Sequence, residues 1–243
     1  MKENKSYIKG VVLFSTLLLP SILYLVLTTG KHNFLYLPTI VKEGNSYVVD
    51  KTGKNSTAEK HIISDFQMED LEGGTFGIED LKGNINLVAF MSEDCSMFCQ
   101  TSHYKLKTEI LDKLSLYKNL QIIICVIPKG ENINFDAKSY KDAIDAIGME
   151  QWRFVTSSKD ELMKMARNDF LVGPIGEIMI DGNELKSDYT VIVDKSGQLR
   201  TGYDSDEKST YAYSLRSQYE INYLLDDLKL LMAEYQKESK KKK

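Results

Sequence analysis

Two apolar runs, Leu87 to Met91 and Leu120 to Ile127, stand on either side of one amphipathic stretch. The second run is interrupted only by Gln121. A run without polar alternation predicts a strand covered on both faces, as parallel strands are. Between the runs, Cys99, His103, Leu106, Ile110, Leu114 and Tyr117 recur at spacings of three and four, which is the inward stripe of a helix. Two parallel strands need a crossover, and a right-handed one is the default. This strand–helix–strand order constrains the chain more than any other feature, and it predicts an α/β fold.

The junction between the first run and the helix carries Cys95 and Cys99. Side chains at i and i+4 can share one face of a helical turn. There they can close a disulfide or hold one soft metal ion as thiolates. The helix N-terminus favours a thiolate, whereas Glu93 and Asp94 oppose one. An inert disulfide or two packed thiols is the plainer alternative, but a strand-to-helix corner among Ser, Glu and Asp is where a side chain reaches solvent. Cys125 lies inside the apolar run and reads as a small core residue. His103 follows Cys99 on the same stripe, so it either completes a Cys-Cys-His set or packs and bonds to backbone. Met97 is read as a packed loop methionine, with a thioether that suits soft metals. A buried strand feeding a helix whose first turn bears two thiols is the thioredoxin-like layout, a central mixed sheet flanked by helices.

The rest of the chain divides around this centre. Residues 1–9 form a charged N-terminus, and residues 10–30 hold no charged side chain. That length spans a bilayer core as one helix, Pro20 included. Lys2, Lys5 and Lys9 precede it and favour an N-inside orientation, placing the remainder of the chain beyond the cytoplasmic membrane. A cleaved signal peptide competes, but the run is long and no clear small-x-small site succeeds it. Residues 31–60 read as a linker with a peripheral hairpin around Tyr47 to Val49, residues 61–236 as the folded domain, and residues 237–243 as a basic, solvated tail. Within the domain, strands are predicted at Ile62 to Gln67 and Trp152 to Thr156, and at Tyr189 to Val193 turning back through Asp194 to Gly197. Turns are predicted at Glu72 to Thr75 and at Asp80 to Gly83. Tyr140, Ala143, Ile144 and Ile147 mark a helix ended by Gly148, and Ser158 with Glu161 is a capping box opening another. The last helix carries Ile221, Leu224, Leu225, Leu228, Leu231, Met232 and Tyr235 on one stripe.

Composition narrows the function classes. With 42% hydrophobic and 27% charged residues, the chain is globular rather than disordered. A net charge of −4 gives no reason to expect nucleic acid as a partner. Three cysteines are too few to replace a hydrophobic core.

From Ile62 to Tyr235, and in its apolar N-terminal segment, the sequence resembles the Sco/SenC family of membrane-anchored, thioredoxin-fold proteins. The resemblance is carried by Asp65-Phe66-Gln67-Met68, Asp80-Leu81-Lys82-Gly83 and Val88-Ala89-Phe90, and by the Cys-x-x-x-Cys pair at Cys95 and Cys99. Trp152-Arg153-Phe154-Val155-Thr156 and Val191-Ile192-Val193-Asp194-Lys195-Ser196-Gly197 extend it. It implies copper delivery and maturation of cytochrome c oxidase through Cys95 and Cys99. The implied setting is a single-pass protein of the cytoplasmic membrane, its domain on the periplasmic or extracytoplasmic side. Its partner would be an oxidase subunit or another exported thiol protein. Family copper ligands are the two cysteines and a histidine shortly before the late strand, a place that falls here on Lys186. Ser96 and Gln100 stand where the family has prolines. An ammonium has no lone pair to give a metal. Copper binding therefore needs His103 or a methionine as substitute, or two thiolates alone, or it has been lost. The alternatives are a metal-free thiol–disulfide oxidoreductase of exported proteins and a binding module with a structural disulfide.

Overall fold

The computed structural model describes residues 14–16, 18–22, 24, 36–44, 46–50, 58–94, 97–130, 133–146, 150–172, 189–202 and 211–241. The chain separates into two units, Met1–Leu35 and Tyr36–Lys243. In the first, residues 14–16, 18–22 and 24 are helical, and Phe14, Leu19 and Tyr24 are exposed. Among the described residues no helix is long and apolar enough to cross a membrane. Much of the anchor expected over residues 10–30 lies outside the described residues.

The second unit has strands β1 (Thr39–Glu43), β2 (Ser46–Asp50), β3 (Glu59–Lys60), β4 (Gln67–Asp70), β5 (Thr75–Gly77), β6 (Ile85–Ser92) and β7 (Leu120–Ile127). They are followed by β8 (Trp152–Thr156), β9 (Tyr189–Val193), β10 (Leu199–Arg200) and β11 (Tyr213–Ser214). The helices are α1 (Ile78–Leu81), α2 (Met97–Lys105), α3 (Ala137–Ala143), α4 (Lys159–Asn168) and α5 (Gln218–Lys241). One sheet runs in the order β2-β1-β10-β9-β6-β7-β8-β4-β5, with β3 against β1 and β11 against β9. β6 pairs in parallel with β7, and β7 with β8, while β9 closes on β6 antiparallel. The two apolar runs are therefore adjacent central strands.

Their alternate side chains build two cores. Leu87, Ala89, Met91, Ile122, Ile124 and Val126 face α2, α3 and α5. Val88, Phe90, Ile123, Cys125 and Ile127 face the other way, towards α4 and α1. Each Val, Leu, Ile, Phe or Met side chain among them contributes about 1.5–3 kcal/mol on full burial, so β6 and β7 anchor everything else.

Local chemistry sets the ends of the elements. Ser158 caps α4 by accepting from the Glu161 amide at 3.4 Å, and Asp136 caps α3 by accepting from the Ser139 amide at 3.0 Å. The β9–β10 turn is held by Asp194 Oδ1, which accepts from the Ser196 and Gln198 amides. Gly197 supplies the positive φ of 77° that the turn needs. A buried cluster then ties α5 to the sheet. The Arg200 guanidinium meets Asp194 at 3.0 Å and Glu234 at 2.7 Å, and donates to the Leu37 carbonyl at 3.0 Å.

Three details depart from the expectations of the sequence. The strand expected at Ile62 to Gln67 is displaced to Gln67–Asp70, where Met68 and Asp70 alternate inwards. Ile62 makes only a lone bridge to Gln198, while Ile63 turns into the core. The turn expected at Asp80 to Gly83 overlaps α1, which takes in Asp80 and Leu81 and is started by the Asp80 carboxylate accepting from the Gly77 amide at 2.8 Å. The long helix is not uniform either: α2 passes into a π-helical segment, Leu106–Leu111, and then into turns. The stripe still buries Cys99, His103, Leu106, Ile110 and Leu114, because each packs against β6, β7 or their neighbours. Ile147 and Gly148, expected to end the helix before β8, lie outside the described residues.

Candidate functional site

A side chain at the C-terminal end of a central strand sits where the sheet meets solvent, and β6 ends in this way at Ser92. Glu93 and Asp94 make the corner, and α2 starts shortly after it. Both carboxylates have partners. Glu93 accepts from the amides of Lys129 and Asn134, each at 2.8 Å, which ties the loop after β7 to the corner. Asp94 accepts from Ser92 Oγ at 2.5 Å and pairs with Lys129 Nζ at 2.9 Å. These two contacts hold the Asp94 carboxyl below its ordinary range, the serine hydrogen bond first. The Lys129 ammonium thus offsets one of the charges that oppose a thiolate here.

Cys99, in the first turn of α2, is 2% exposed and disulfide-bonded. Cys125 is a free thiol in β7, and it belongs to the core on the opposite face of the sheet from Cys99. Burial pushes its thiol far above the ordinary range, so it is an inert packing residue. Of the three cysteines this leaves Cys95, which lies outside the described residues with Lys186.

Beneath Cys99 is a polar pair enclosed by aromatic rings. The Tyr140 hydroxyl of α3 lies 3.7 Å from Cys99 Sγ and 2.6 Å from His103 Nδ1. His103 is fully buried, and burial alone lowers its pKa to about 4, so it is neutral at pH 7. Its ring sits edge-on to Tyr140 and Trp152, with centroids at 5.8 and 6.4 Å. Phe135 and Phe154 pack on Tyr140 at 5.3 and 5.4 Å. Among the described residues His103 Nε2 has no hydrogen-bond partner, and neither has Trp152 Nε1. Burial raises the Tyr140 phenol well above its ordinary range, so its hydroxyl keeps its proton. Among the described residues no three His, Cys, Asp or Glu side chains come together as a metal-holding group.

The fold thus brings Cys99 and His103 to one place and joins them through Tyr140, which no spacing in the sequence marks as functional. By spacing alone Tyr140 is one member of an apolar stripe. The signal available is its type: a phenol on a buried face requires a polar partner. Met97, beside the cysteines in sequence, is 79% exposed rather than packed.

A thioredoxin-like sheet with a disulfide-bonded cysteine in the first turn of its helix defines the class. No protein-family profile matches the chain. It is 30% identical over 133 residues to an SCO2-like protein of Rickettsia felis, covering 54% of this chain and 58% of that protein. An SCO2-like protein of Rickettsia conorii matches with the same identity and coverage. The chain therefore spans less than two thirds of the curated relatives it matches. Among solved structures, a SCO1/SenC family lipoprotein from Bacillus anthracis superposes with a TM-score of 0.51 at 18% identity. The superposition covers 70% of this chain and 95% of that one, and it shows the shared fold. The resemblance to Sco/SenC proteins read from the sequence is borne out by these relatives.

Proposed function

We propose that this chain is a Sco-like protein that uses Cys95 and Cys99 as a thiol–disulfide pair in the maturation of cytochrome c oxidase, within the copper handling that its resemblance implies. The observation that carries the reading is the disulfide-bonded Cys99 in the first turn of α2. There a strand end, a helix N-terminus and the corner where Lys129 pairs with Asp94 converge. In such a pair one sulfur is attacked, and the other leaves and later resolves the mixed disulfide. Residues 10–30 serve as the anchor in this proposal, with the N-terminus inside and the domain on the extracytoplasmic side. A disulfide accords with that compartment.

Copper enters as cargo of the same two sulfurs. Reduced, they supply soft thiolates that suit Cu(I). Among the described residues His103 Nε2 carries no competing hydrogen bond, which favours this second reading, although the ring is fully enclosed.

One preparation of the full chain in detergent tests both readings. Anaerobic Cu(I) titration is run against a Cys95→Ser/Cys99→Ser control, and the reduction potential of the pair is measured alongside. One equivalent bound only by the cysteine-bearing protein supports copper delivery. Absent binding, together with a disulfide that equilibrates with dithiols, leaves thiol–disulfide exchange. A potential below about −300 mV, the range of structural disulfides in secreted proteins, rejects the exchange reading.

A further inference from the structure

We infer that Tyr140 is a catalytic hydrogen-bond donor to Cys99 and that His103 is the residue that positions it. This role rests on the thiol–disulfide reading and adds to it the groups that receive the leaving sulfur. The Tyr140 hydroxyl is held between Sγ of Cys99 at 3.7 Å and Nδ1 of His103 at 2.6 Å, on a ring packed by Phe135 and Phe154. Both cysteine and histidine come from α2, whereas the tyrosine comes from α3, so tertiary packing alone makes the triad.

Reduction begins when a thiolate of a dithiol partner attacks the sulfur bonded to Cys99, and a new sulfur–sulfur bond forms. The bond to Cys99 breaks, and its electron pair stays on Sγ as a thiolate. An anion released in an apolar enclosure needs a donor already in place. The Tyr140 O–H provides it without giving up its proton. A second thiolate of the partner then attacks the partner's own sulfur in the mixed disulfide. The partner leaves oxidised, and this chain keeps two reduced cysteines.

His103 determines where the Tyr140 proton points. A phenol has one proton to donate. If the imidazole carries its hydrogen on Nδ1, it donates to the phenol oxygen, and the phenol proton is not spent on the imidazole. That tautomer puts a bare lone pair on Nε2, the atom that lacks a partner among the described residues, whereas the other would bury an unsatisfied N–H there. Buried N–H groups are left unpaired less readily than acceptors, so the surroundings select the tautomer that aims Tyr140 at Cys99.

The test uses the full chain in detergent, oxidised, with opening of the disulfide by dithiothreitol monitored in stopped flow. Tyr140→Phe keeps the ring and removes the donor. Opening about tenfold slower is expected, since a hydrogen bond to an ionised group is worth about that factor. The potential should also become more negative, by about 30 mV for each tenfold change in the two-electron equilibrium. His103→Leu should slow opening in an otherwise native chain and change nothing further in Tyr140→Phe. Wild-type rate and potential in Tyr140→Phe overturn the inference, as do additive effects of the two substitutions. A wild-type disulfide inert to dithiothreitol overturns instead the exchange reading beneath it. Should Tyr140→Phe fail to fold, a fluorinated tyrosine at position 140 keeps the ring and strengthens the donor. Faster opening is then expected, and an unchanged rate overturns the inference.

Discussion

Acidification should weaken this fold through His103. The imidazole is fully buried among Tyr140, Trp152 and the sheet, with a pKa lowered from 6.5 to about 4 by desolvation. A base whose folded value lies below its unfolded value binds its proton more readily when unfolded. Its contribution is therefore complete above pH 6.5 and is lost as pH falls through about 4. Each tenfold step in proton affinity is worth about 1.4 kcal/mol, so the full loss is about 3 kcal/mol, with about 2 kcal/mol gone by pH 5. The assay is urea unfolding of the full chain in detergent at pH 7.5 and pH 5, monitored by Trp152 fluorescence, for the wild type and His103→Phe. The substitution changes stability at both pH values, but the quantity of interest is the difference between them. Other titrating groups are common to both proteins and cancel. The wild type should lose about 2 kcal/mol more than the variant between the two pH values. Equal losses would refute this account, showing that His103 reaches water or a proton acceptor in the folded state.

Arg200→Met should cost about 3–5 kcal/mol, because it leaves the buried carboxylate of Asp194 and the half-buried one of Glu234 without their cation; urea midpoints measure this. Asp227 gives a pH effect of the opposite sign. It accepts from Tyr213 Oη at 2.5 Å and from the Gly202 amide at 2.9 Å, and burial raises its pKa above 3.8. Its stabilisation is complete below pH 3.8 and is lost as pH rises through the raised value. Asp227→Asn keeps an acceptor for both donors and cannot ionise, so its stability relative to wild type should be higher at pH 8 than below pH 3.8. A difference that does not vary with pH would count against an ionisable, buried Asp227.

The central strands, the helix between them, the capped α4 and the striped α5 are legible in the sequence because each is specified by near neighbours. An apolar run, a three-and-four spacing and a Ser158–Glu161 cap carry their meaning locally. The displaced strand at β4 and the π-helical segment after α2 are not legible there. Ile62 and Ile63 are equally apolar, and only contacts with Gly197 and Gln198 decide which of them the core takes.

The sequence alone determined that Cys99 and His103 share one helical face and that Cys125 belongs to a strand interior, since a helix and a strand each impose their own periodicity. It also identified the likeness to Sco/SenC proteins, which is written along the chain. Tertiary structure decided what surrounds Cys99. Tyr140 comes to its sulfur from α3, Lys129 reaches Asp94 from the loop after β7, and Cys125 is placed across the sheet from it. Such partners are distant along the chain and meet only when α2 and α3 pack on one sheet. No local spacing encodes them, because the geometry that joins them exists only once β6, β7 and β8 are paired.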